Sequence, residues 1–498
     1  MTISTMSSSV STSNWRQLLG AMLFLCQFIC PVFHSQVLAQ PAATAEFESA
    51  VLAALGGQAL TGIEFTGSGW DACLGQAWSI NAGWARWQLT DYHRVIDYDT
   101  GTSSQTALRR AGLDADHIGG CGAQPAAAAA PQQSFINSTA AWPDQLLIWL
   151  TPHGFLRLLA AGKPAITKAG TGWQASLPLQ RDMINYHLIG HFNSQHELTS
   201  IQTWIDDSVF GDMEVLAEFG AYEQFNGLSF PHTLTIKQGG FATLSLTIAS
   251  AAASNATLPN KAPAPPRPPA PATDGPRFTE IGKGIFVVLG GYKSVAVEFD
   301  QFTVVIDGLQ NDARVQDLIT IVKQAIPNKP IRYVVSTHSH FDHASGLRQF
   351  AAEGATILTH EMNVAFFNKA LSAPRTLRVK PTEPNSVQVK VQGIKDHHEI
   401  KDGAGQSIDV YALGPSAHAA DMLIAYLPTA KTVVEADTLQ PWINPAFGGK
   451  NGPHPLLLNL EAGLKKLNLD YQHFVPVHAP PMPPLMERAD LEKALAAH

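Results

Sequence analysis

Four side chains that can bind a metal ion lie within six consecutive positions of the segment THSHFDHASG, which spans residues 337–346. His338 and His340 are two residues apart, so in an extended chain they project to the same side and can bind one ion through neutral imidazole nitrogens. Asp342 and His343 follow directly and can serve a second ion. This spacing predicts a metal site rather than a polar loop that is rich in histidine by chance.

Three further residues of ligand type follow at the ends of predicted strands. His418 lies in the segment GPSAHAAD, Asp437 follows the predicted strand Thr432–Glu435, and His478 follows the predicted strand Phe474–Val477. Imidazole and carboxylate ligands accept zinc, and they also accept iron or manganese. Three such candidates at strand ends support the metal site predicted from residues 337–346.

The order HxHxDH, then His, Asp and His, resembles that of the metallo-β-lactamase fold superfamily, and the resemblance covers about residues 278–498. It implies an αββα sandwich with the metals at one edge between two sheets. By the same resemblance, His338, His340 and His418 hold the first metal, Asp342, His343 and His478 hold the second, and Asp437 bridges the two.

This resemblance implies the chemistry of a dinuclear hydrolase. A water that bridges two zinc ions is deprotonated near neutral pH and attacks a carbonyl or phosphoryl centre. Asp342 is the predicted catalytic residue, since it could also orient that hydroxide. We expect two zinc ions per chain, without excluding iron or manganese, and hydrolysis of an ester, thioester or lactone-like bond in a small-molecule substrate.

Three alternatives stay open. The first is a zinc β-lactamase. Many of these enzymes have Cys or Ser where Asp437 stands, and those with Cys often carry a Lys three residues later. This sequence has Asp437 and Gln440 at the two positions, which disfavours a β-lactam substrate. Persulfide dioxygenases use the same fold with one iron, whereas seven ligands favour two metals. The third alternative is a periplasmic protein that binds lipid or another apolar ligand and whose metal site is not catalytic.

The composition changes abruptly at 258–277, where eight prolines fall between Pro259 and Pro276. Such a stretch is extended and semi-rigid, so it predicts a linker between a domain at 40–257 and a second domain at 278–498. Strands that alternate with helices, such as the one predicted at Arg314–Ala325, make the second domain α/β.

The region 40–257 has short aromatic and β-branched runs between turn residues, which predicts a mainly antiparallel β domain with a few helices, of α+β type. One run is predicted at His232–Ile248, and one helix at Asp144–Ala160 with a break at Pro152. The layout resembles the curved sheets of bacterial periplasmic lipoprotein carriers, which hold acyl chains on an apolar concave face.

Residues 1–39 have the pattern of a secretory signal peptide, with Arg16 before the apolar stretch Leu18–Phe33 and small residues at a cleavage site ending at Ala39. We therefore expect an exported protein, periplasmic or secreted, without a transmembrane segment once the signal is removed. Cys73 and Cys121 would remain, and in an oxidising compartment they could form one disulfide or stay unpaired.

The 498 residues suffice for more than one domain, and 45% of them are hydrophobic. The 33 basic and 41 acidic residues give a formal charge of −8 without a cluster of Lys and Arg, which disfavours binding to nucleic acid. The sequence does not determine the oligomeric state.

Overall fold

The structure is a computed structural model that describes residues 41–57, 59–111, 131–259, 277–378, 387–439, 455–478 and 483–496. The predicted signal peptide 1–39, most of the predicted linker 258–277 and Cys121 lie outside these ranges. None of the helices in the described ranges combines the length and the apolar character needed to cross a lipid bilayer.

The first part of the chain forms an eleven-stranded antiparallel sheet with the spatial order β4-β3-β2-β1-β11-β10-β9-β8-β7-β6-β5. Its strands are β1 Gly62–Ala72, β2 Arg86–Asp97, β3 Thr102–Ala111, β4 Gln132–Ile136, β5 Ala165–Ala169, β6 Gly172–Arg181, β7 Ile184–Phe192, β8 Leu198–Asp207, β9 Gly211–Phe225, β10 Leu228–Gln238 and β11 Phe241–Ala253. Burial alternates along β8 and β9, so one face of these strands packs against a core and the other is more exposed.

Three helices pack on the buried face of this sheet, at α1 Pro41–Ala54, α2 Trp142–Trp149 and α3 Pro152–Ala161. The predicted break at Pro152 is confirmed, because Pro152 begins α3 and Thr151 caps it by accepting a hydrogen bond from the backbone N–H of Gly154. The mainly antiparallel α+β character expected for this region is therefore observed.

The prediction of one continuous run at His232–Ile248 is wrong. Gly239 and Gly240 both adopt positive φ angles, of 58° and 88°, and turn the chain between β10 and β11. Glycine reaches this region of backbone space without steric cost, so this pair forms a hairpin within what reads as a single apolar stretch.

The second part of the chain contains two sheets. The first has the order β12-β13-β14-β15-β16-β17-β18 and the second has the order β19-β20-β21-β22-β23-β24. The strands of the first are β12 Phe278–Gly282, β13 Ile285–Val288, β14 Ser294–Glu298, β15 Thr303–Ile306, β16 Ile331–Val335, β17 Thr356–His360 and β18 Val391–Ile394. Those of the second are β19 His397–Lys401, β20 Ser407–Ala412, β21 Leu423–Leu427, β22 Thr432–Glu435, β23 His473–Pro476 and β24 Met486–Glu487.

These two sheets pack face to face with helices on both outer sides. Aliphatic side chains of both sheets, such as Val304 and Val434, form the core between them. The first sheet is covered by α4 Asp312–Ala325, α5 Leu347–Ala352 and α6 Val364–Ser372, and the second by α7 Pro455–Leu467 and α8 Arg488–Ala496. The layer order is the αββα sandwich that the family resemblance implies.

The two parts of the chain are joined by a buried ionic contact. Arg375, which follows α6, donates to Asp206 at the end of β8 over 2.6 Å and to Asp312 at the start of α4 over 2.6 Å. The arginine side chain is only 3% exposed, so this pairing is shielded from solvent. It holds the first domain against the face of the sandwich that carries α4 and α6.

Candidate metal centre

The HxHxDH segment begins where β16 ends and turns into a short 3-10 helix at Phe341–His343. A carboxylate from the neighbouring strand holds this turn: Asp307, which follows β15 and adopts a positive φ of 50°, accepts a hydrogen bond from Thr337 N over 3.2 Å and another from the Thr337 hydroxyl. The strands β15 and β16 are parallel neighbours, so their carboxyl ends bring these residues to the same edge of the sheet.

Asp437 lies at the centre of the predicted ligands. Its Oδ2 atom is 3.3 Å from His338 Nε2, 3.2 Å from His418 Nε2 and 3.0 Å from His343 Nε2. The side chain is 5% exposed and its backbone has a positive φ of 64°, a conformation that Asp tolerates better than most residues. One carboxylate oxygen therefore faces imidazoles from both predicted metal-binding sets.

The predicted ligands fall into two overlapping groups around this carboxylate. The candidate ligand atoms of the first group lie within 4.8 Å of one another, and so do those of the second. The first group is His338, His340, His418 and Asp437, and the second is Asp342, His343 and Asp437. Asp437 belongs to both, which is the position expected for a bridging ligand.

The seventh predicted ligand, His478, lies at the rim. Its Nδ1 atom is 3.1 Å from Asp437 Oδ1, and its side chain is 31% exposed. The ring of Tyr292 packs edge-on against His478, with ring centroids 4.3 Å apart. All seven predicted residues are thus brought to one region, with His478 at its more exposed side.

Burial and neighbouring charge set the protonation of the histidines. Burial, together with His418 and His338, holds the pKa of His340 well below its usual value, so this ring is neutral and has a lone pair for a metal. Burial alone would lower the pKa of His343, but Asp307, Asp437 and Asp342 raise it well above its usual value. This histidine therefore holds a proton in the place that a metal ion would take.

The carboxylates respond in the opposite sense. Burial alone would raise the pKa of Asp437, but the charge of His343 and the hydrogen bonds from the surrounding imidazoles lower it well below its usual value. Burial would likewise raise the pKa of Asp342, and His343 lowers it. Both carboxylates are therefore ionised, as metal ligands must be.

The donor set fits divalent metal ions. His340 Nδ1 is buried and has no hydrogen-bond partner among the described residues, whereas its Nε2 donates to the carbonyl of Ala77 over 3.0 Å. His338 Nε2 and His418 Nε2 lie only 3.2 Å apart, facing each other across the site. Neutral imidazole nitrogens and carboxylate oxygens gathered in this way could hold zinc, iron or manganese.

Buried polar side chains outside the ligand set support two of the turns that carry it, the HxHxDH turn and the turn of Asp437. Asp421 Oδ2 accepts from Ser339 N over 2.7 Å and from Asn363 Nδ2 over 2.6 Å. Glu435 accepts from the backbone N–H of Thr438 over 3.1 Å, and burial raises the pKa of this carboxyl to about 7. These contacts fix the backbone on either side of the histidine and aspartate ligands.

Two residues beside Asp342 were not found from the sequence. Tyr292 OH donates to Asp342 Oδ2 over 2.8 Å, and Gln76 Nε2 donates to Asp342 Oδ1 over 2.9 Å. Tyr292 lies in the loop between β13 and β14, and Gln76 lies in the loop between β1 and β2 of the first domain. Neither belongs to a motif or a periodic pattern, so no signal in the sequence marks them.

Residues 288–478 match the family model of the metallo-beta-lactamase superfamily. The C-terminal region is therefore a domain of this superfamily, whose members are mainly hydrolases. The 2,4-dinitroanisole O-demethylase subunit alpha of Nocardioides sp. (strain JS1661) is 20% identical over 150 residues, which is 30% of this chain and 42% of that protein. The match thus spans less than half of the relative's length.

Solved structures also align with part of the chain. A metallo-beta-lactamase from Pontibacter korlensis aligns with a TM-score of 0.33 and 18% identity, covering 44% of this chain and 96% of that one. The stereoselective inverting sec-alkylsulfatase Pisa1 from Pseudomonas sp. aligns with a TM-score of 0.32 and 19% identity, covering 44% of this chain and 40% of that one.

Proposed function

We propose that this protein is an exported, dinuclear, zinc-dependent hydrolase that cleaves an ester, thioester or lactone-like bond of a small molecule. The observation that carries the proposal is the position of Asp437, whose Oδ2 lies 3.0 Å from His343 Nε2 and 3.2 Å from His418 Nε2. A hard carboxylate ligand between two divalent ions reduces their mutual repulsion and sets their separation.

The chain provides separate ligands for two ions. His338, His340 and His418 would hold the first, and Asp342, His343 and His478 would hold the second. Two metal ions in such a site supply a water nucleophile that is ionised near neutral pH and polarise the bond that is attacked. Export is supported by the pattern of residues 1–39, which lie outside the described part of the chain.

The chain's own residues orient the reaction. Tyr292 OH donates to Oδ2 of Asp342 and Gln76 Nε2 donates to Oδ1. These two hydrogen bonds fix the orientation of the carboxylate plane relative to the other ligands proposed for the second metal. Asp307 Oδ1 accepts from His343 Nδ1 over 2.9 Å, which leaves Nε2 of this ring for a metal. Asp342 is therefore placed to accept a hydrogen bond from the attacking water and to hold it beside the substrate.

A hydrolysis panel on zinc-loaded protein from Gln40 onward tests this function, with Asp342→Ala beside it. Thioesters, lactones, aryl esters, a cephalosporin and a phosphodiester are compared by initial rate. We expect an ester, thioester or lactone to be cleaved by the parent and the rate to fall at least about 100-fold in the variant.

Two other outcomes would contradict the proposal. Cleavage of the cephalosporin alone would make the protein a zinc β-lactamase. If no substrate is cleaved faster by the parent than by Asp342→Ala while metal is bound, the hydrolase assignment is wrong, and oxygen uptake by iron-loaded protein and binding of lipid become the next measurements.

A further inference from the structure

The first domain reaches into the metal centre through one short segment. The loop between β1 and β2 carries residues 75–78, here called the inserted segment, and each of its four residues makes a hydrogen bond to the C-terminal domain. These residues are Gly75, Gln76, Ala77 and Trp78. Gln76 and Ala77 are 266 and 263 positions away in sequence from the residues of the HxHxDH motif that they contact.

The inserted segment contacts the motif at three successive positions. The carbonyl of Ala77 accepts from His340 Nε2 over 3.0 Å, the carbonyl of Gly75 accepts from Phe341 N over 3.0 Å, and Gln76 Nε2 donates to Asp342 Oδ1 over 2.9 Å. His340 and Asp342 are themselves predicted ligands of the first and second metal. The segment therefore contacts one ligand from each metal-binding set.

The same segment also holds the turn that carries His418. Trp78 Nε1 donates to the carbonyl of Ser416 over 2.8 Å, and the carbonyl of Trp78 accepts from Ala420 N over 2.7 Å. Ser416 and Ala420 lie two residues before and two residues after His418. The inserted segment thus bridges the HxHxDH turn and the turn that carries His418, which belong to different sheets of the sandwich.

The fit between the segment and the motif is close. Gly75 adopts a positive φ of 79°, and a Cβ atom at this position would lie 2.3 Å from Cγ of Phe341. Only glycine satisfies both conditions without displacing the ring. At the base of the loop, Cys73 N donates to the carbonyl of Ala85 over 3.0 Å, and Cys73 forms a disulfide whose partner lies outside the described residues.

We propose that the inserted segment is part of the metal centre, with Gln76 positioning Asp342 for the second metal and the Ala77 carbonyl fixing the tautomer of His340 for the first. A proton held on Nε2 by the Ala77 carbonyl leaves Nδ1 of His340 as the ligand atom. Among the described residues, the other contacts of the Asp342 carboxylate are to its Oδ2 atom, from Tyr292 OH over 2.8 Å and from His343 Nε2 at 3.4 Å, so Gln76 holds the opposite oxygen. The inference rests on the proposed metal-dependent function, and it gives the first domain a role in building the active site.

Gln76 is the residue to change, because its side chain makes the contact. Gln76→Leu keeps a side chain of similar size without a donor, and Gln76→Glu keeps the shape but sets a second carboxylate opposite Asp342. Gln88, an exposed residue of β2 in the same domain, provides matched controls as Gln88→Leu and Gln88→Glu. All variants are made in the full chain.

The measurement is the binding of Zn²⁺ by competition with a chromogenic chelator, together with the visible spectrum of the cobalt-substituted protein and the melting temperature. We expect both Gln76 variants to weaken the second binding event by about 10- to 100-fold, as changes to residues that orient ligands typically do, and to alter the cobalt spectrum. The first binding event should change less than about threefold, and the Gln88 variants should match the parent.

Each other outcome has a definite meaning. If both Gln76 variants bind two metals with the parent's affinities and spectrum, the positioning role is wrong. Equal weakening of both binding events with a lowered melting temperature would show a structural role only, which also overturns the proposal. If the parent itself binds one metal or fewer per chain, the proposed dinuclear function fails first, and the two failures are thereby distinguished.

Discussion

Replacing Asp307 with Asn tests how the fold orients His343. The Asp307 carboxylate is completely buried, and its two oxygens accept from four donors, namely the ring of His343, the backbone of Gly308, and the backbone and hydroxyl of Thr337. Asparagine has the same shape but only one oxygen. In either orientation its NH₂ group faces a buried N–H, so at least one donor loses its acceptor.

The magnitude follows from these contacts. A hydrogen bond to a charged group contributes about 1.5–3 kcal/mol, and 1.4 kcal/mol corresponds to a factor of ten in affinity. If the lost bond is the one from His343 Nδ1, which is 2.9 Å long, the ring is no longer held with Nε2 toward Asp437. We therefore expect Asp307→Asn to weaken binding of the second metal by about 10- to 100-fold.

The assay is chelator competition for Zn²⁺ at neutral pH, with the melting temperature recorded for each protein. Asp409→Asn is the matched control, because Asp409 and His397 form a more exposed His–Asp pair of 2.8 Å on the surface of the sandwich. The control should bind metal as the parent does. Unchanged affinity in Asp307→Asn, or an equal loss in Asp409→Asn, would refute the idea that Asp307 orients a ligand.

Three further predictions concern stability. Burial lowers the pKa of His153 from 6.5 to about 4, so the unfolded chain takes up the proton first as the pH falls. Between pH 6.5 and pH 4 the free energy of unfolding of the parent, measured in urea, should therefore fall by about 3 kcal/mol more than that of His153→Phe. Parallel pH profiles of the two proteins would contradict this. Arg375→Met removes the buried partner of Asp206 and Asp312, which Arg378 still contacts at 2.7 Å and 3.7 Å, and should lower the free energy of unfolding in denaturant by about 1.5–3 kcal/mol. The exposed control Arg110→Met should change it by less than about 0.5 kcal/mol. Adding Zn²⁺ at 1,000 times its dissociation constant should stabilise chelator-treated protein by about 4 kcal/mol in thermal unfolding, and an unchanged melting temperature would mean that the folded site does not bind the ion.

The sequence predicts the C-terminal domain well because its candidate metal ligands follow strands. The pattern before His338 predicts a strand, and the strand indeed ends there as β16. Asp437 and His478 likewise follow β22 and β23, which are parallel neighbours. Hydrophobic periodicity places such residues at a common edge, and the spacing of the HxHxDH motif then indicates metal chemistry.

The contacts that other residues make to the metal ligands cannot be predicted from such patterns. Gln76 reaches Asp342 across a separation of 266 residues, and the loop that carries it has no distinctive spacing. Asp421 lies in the same quoted motif as His418, but its role depends on where Ser339 and Asn363 fall in space. Tertiary packing between two domains decides such contacts, and a pattern within one strand or loop does not report it.

The most direct test of the central claim is the number of metal ions bound per chain. It is measured by elemental mass spectrometry on the parent and on Asp437→Ala, both purified at neutral pH. Because Asp437 belongs to both ligand groups, we predict two ions per chain in the parent and one or fewer in the variant. One ion or fewer per chain in the parent, or two in the variant, would contradict a dinuclear centre bridged by this carboxylate.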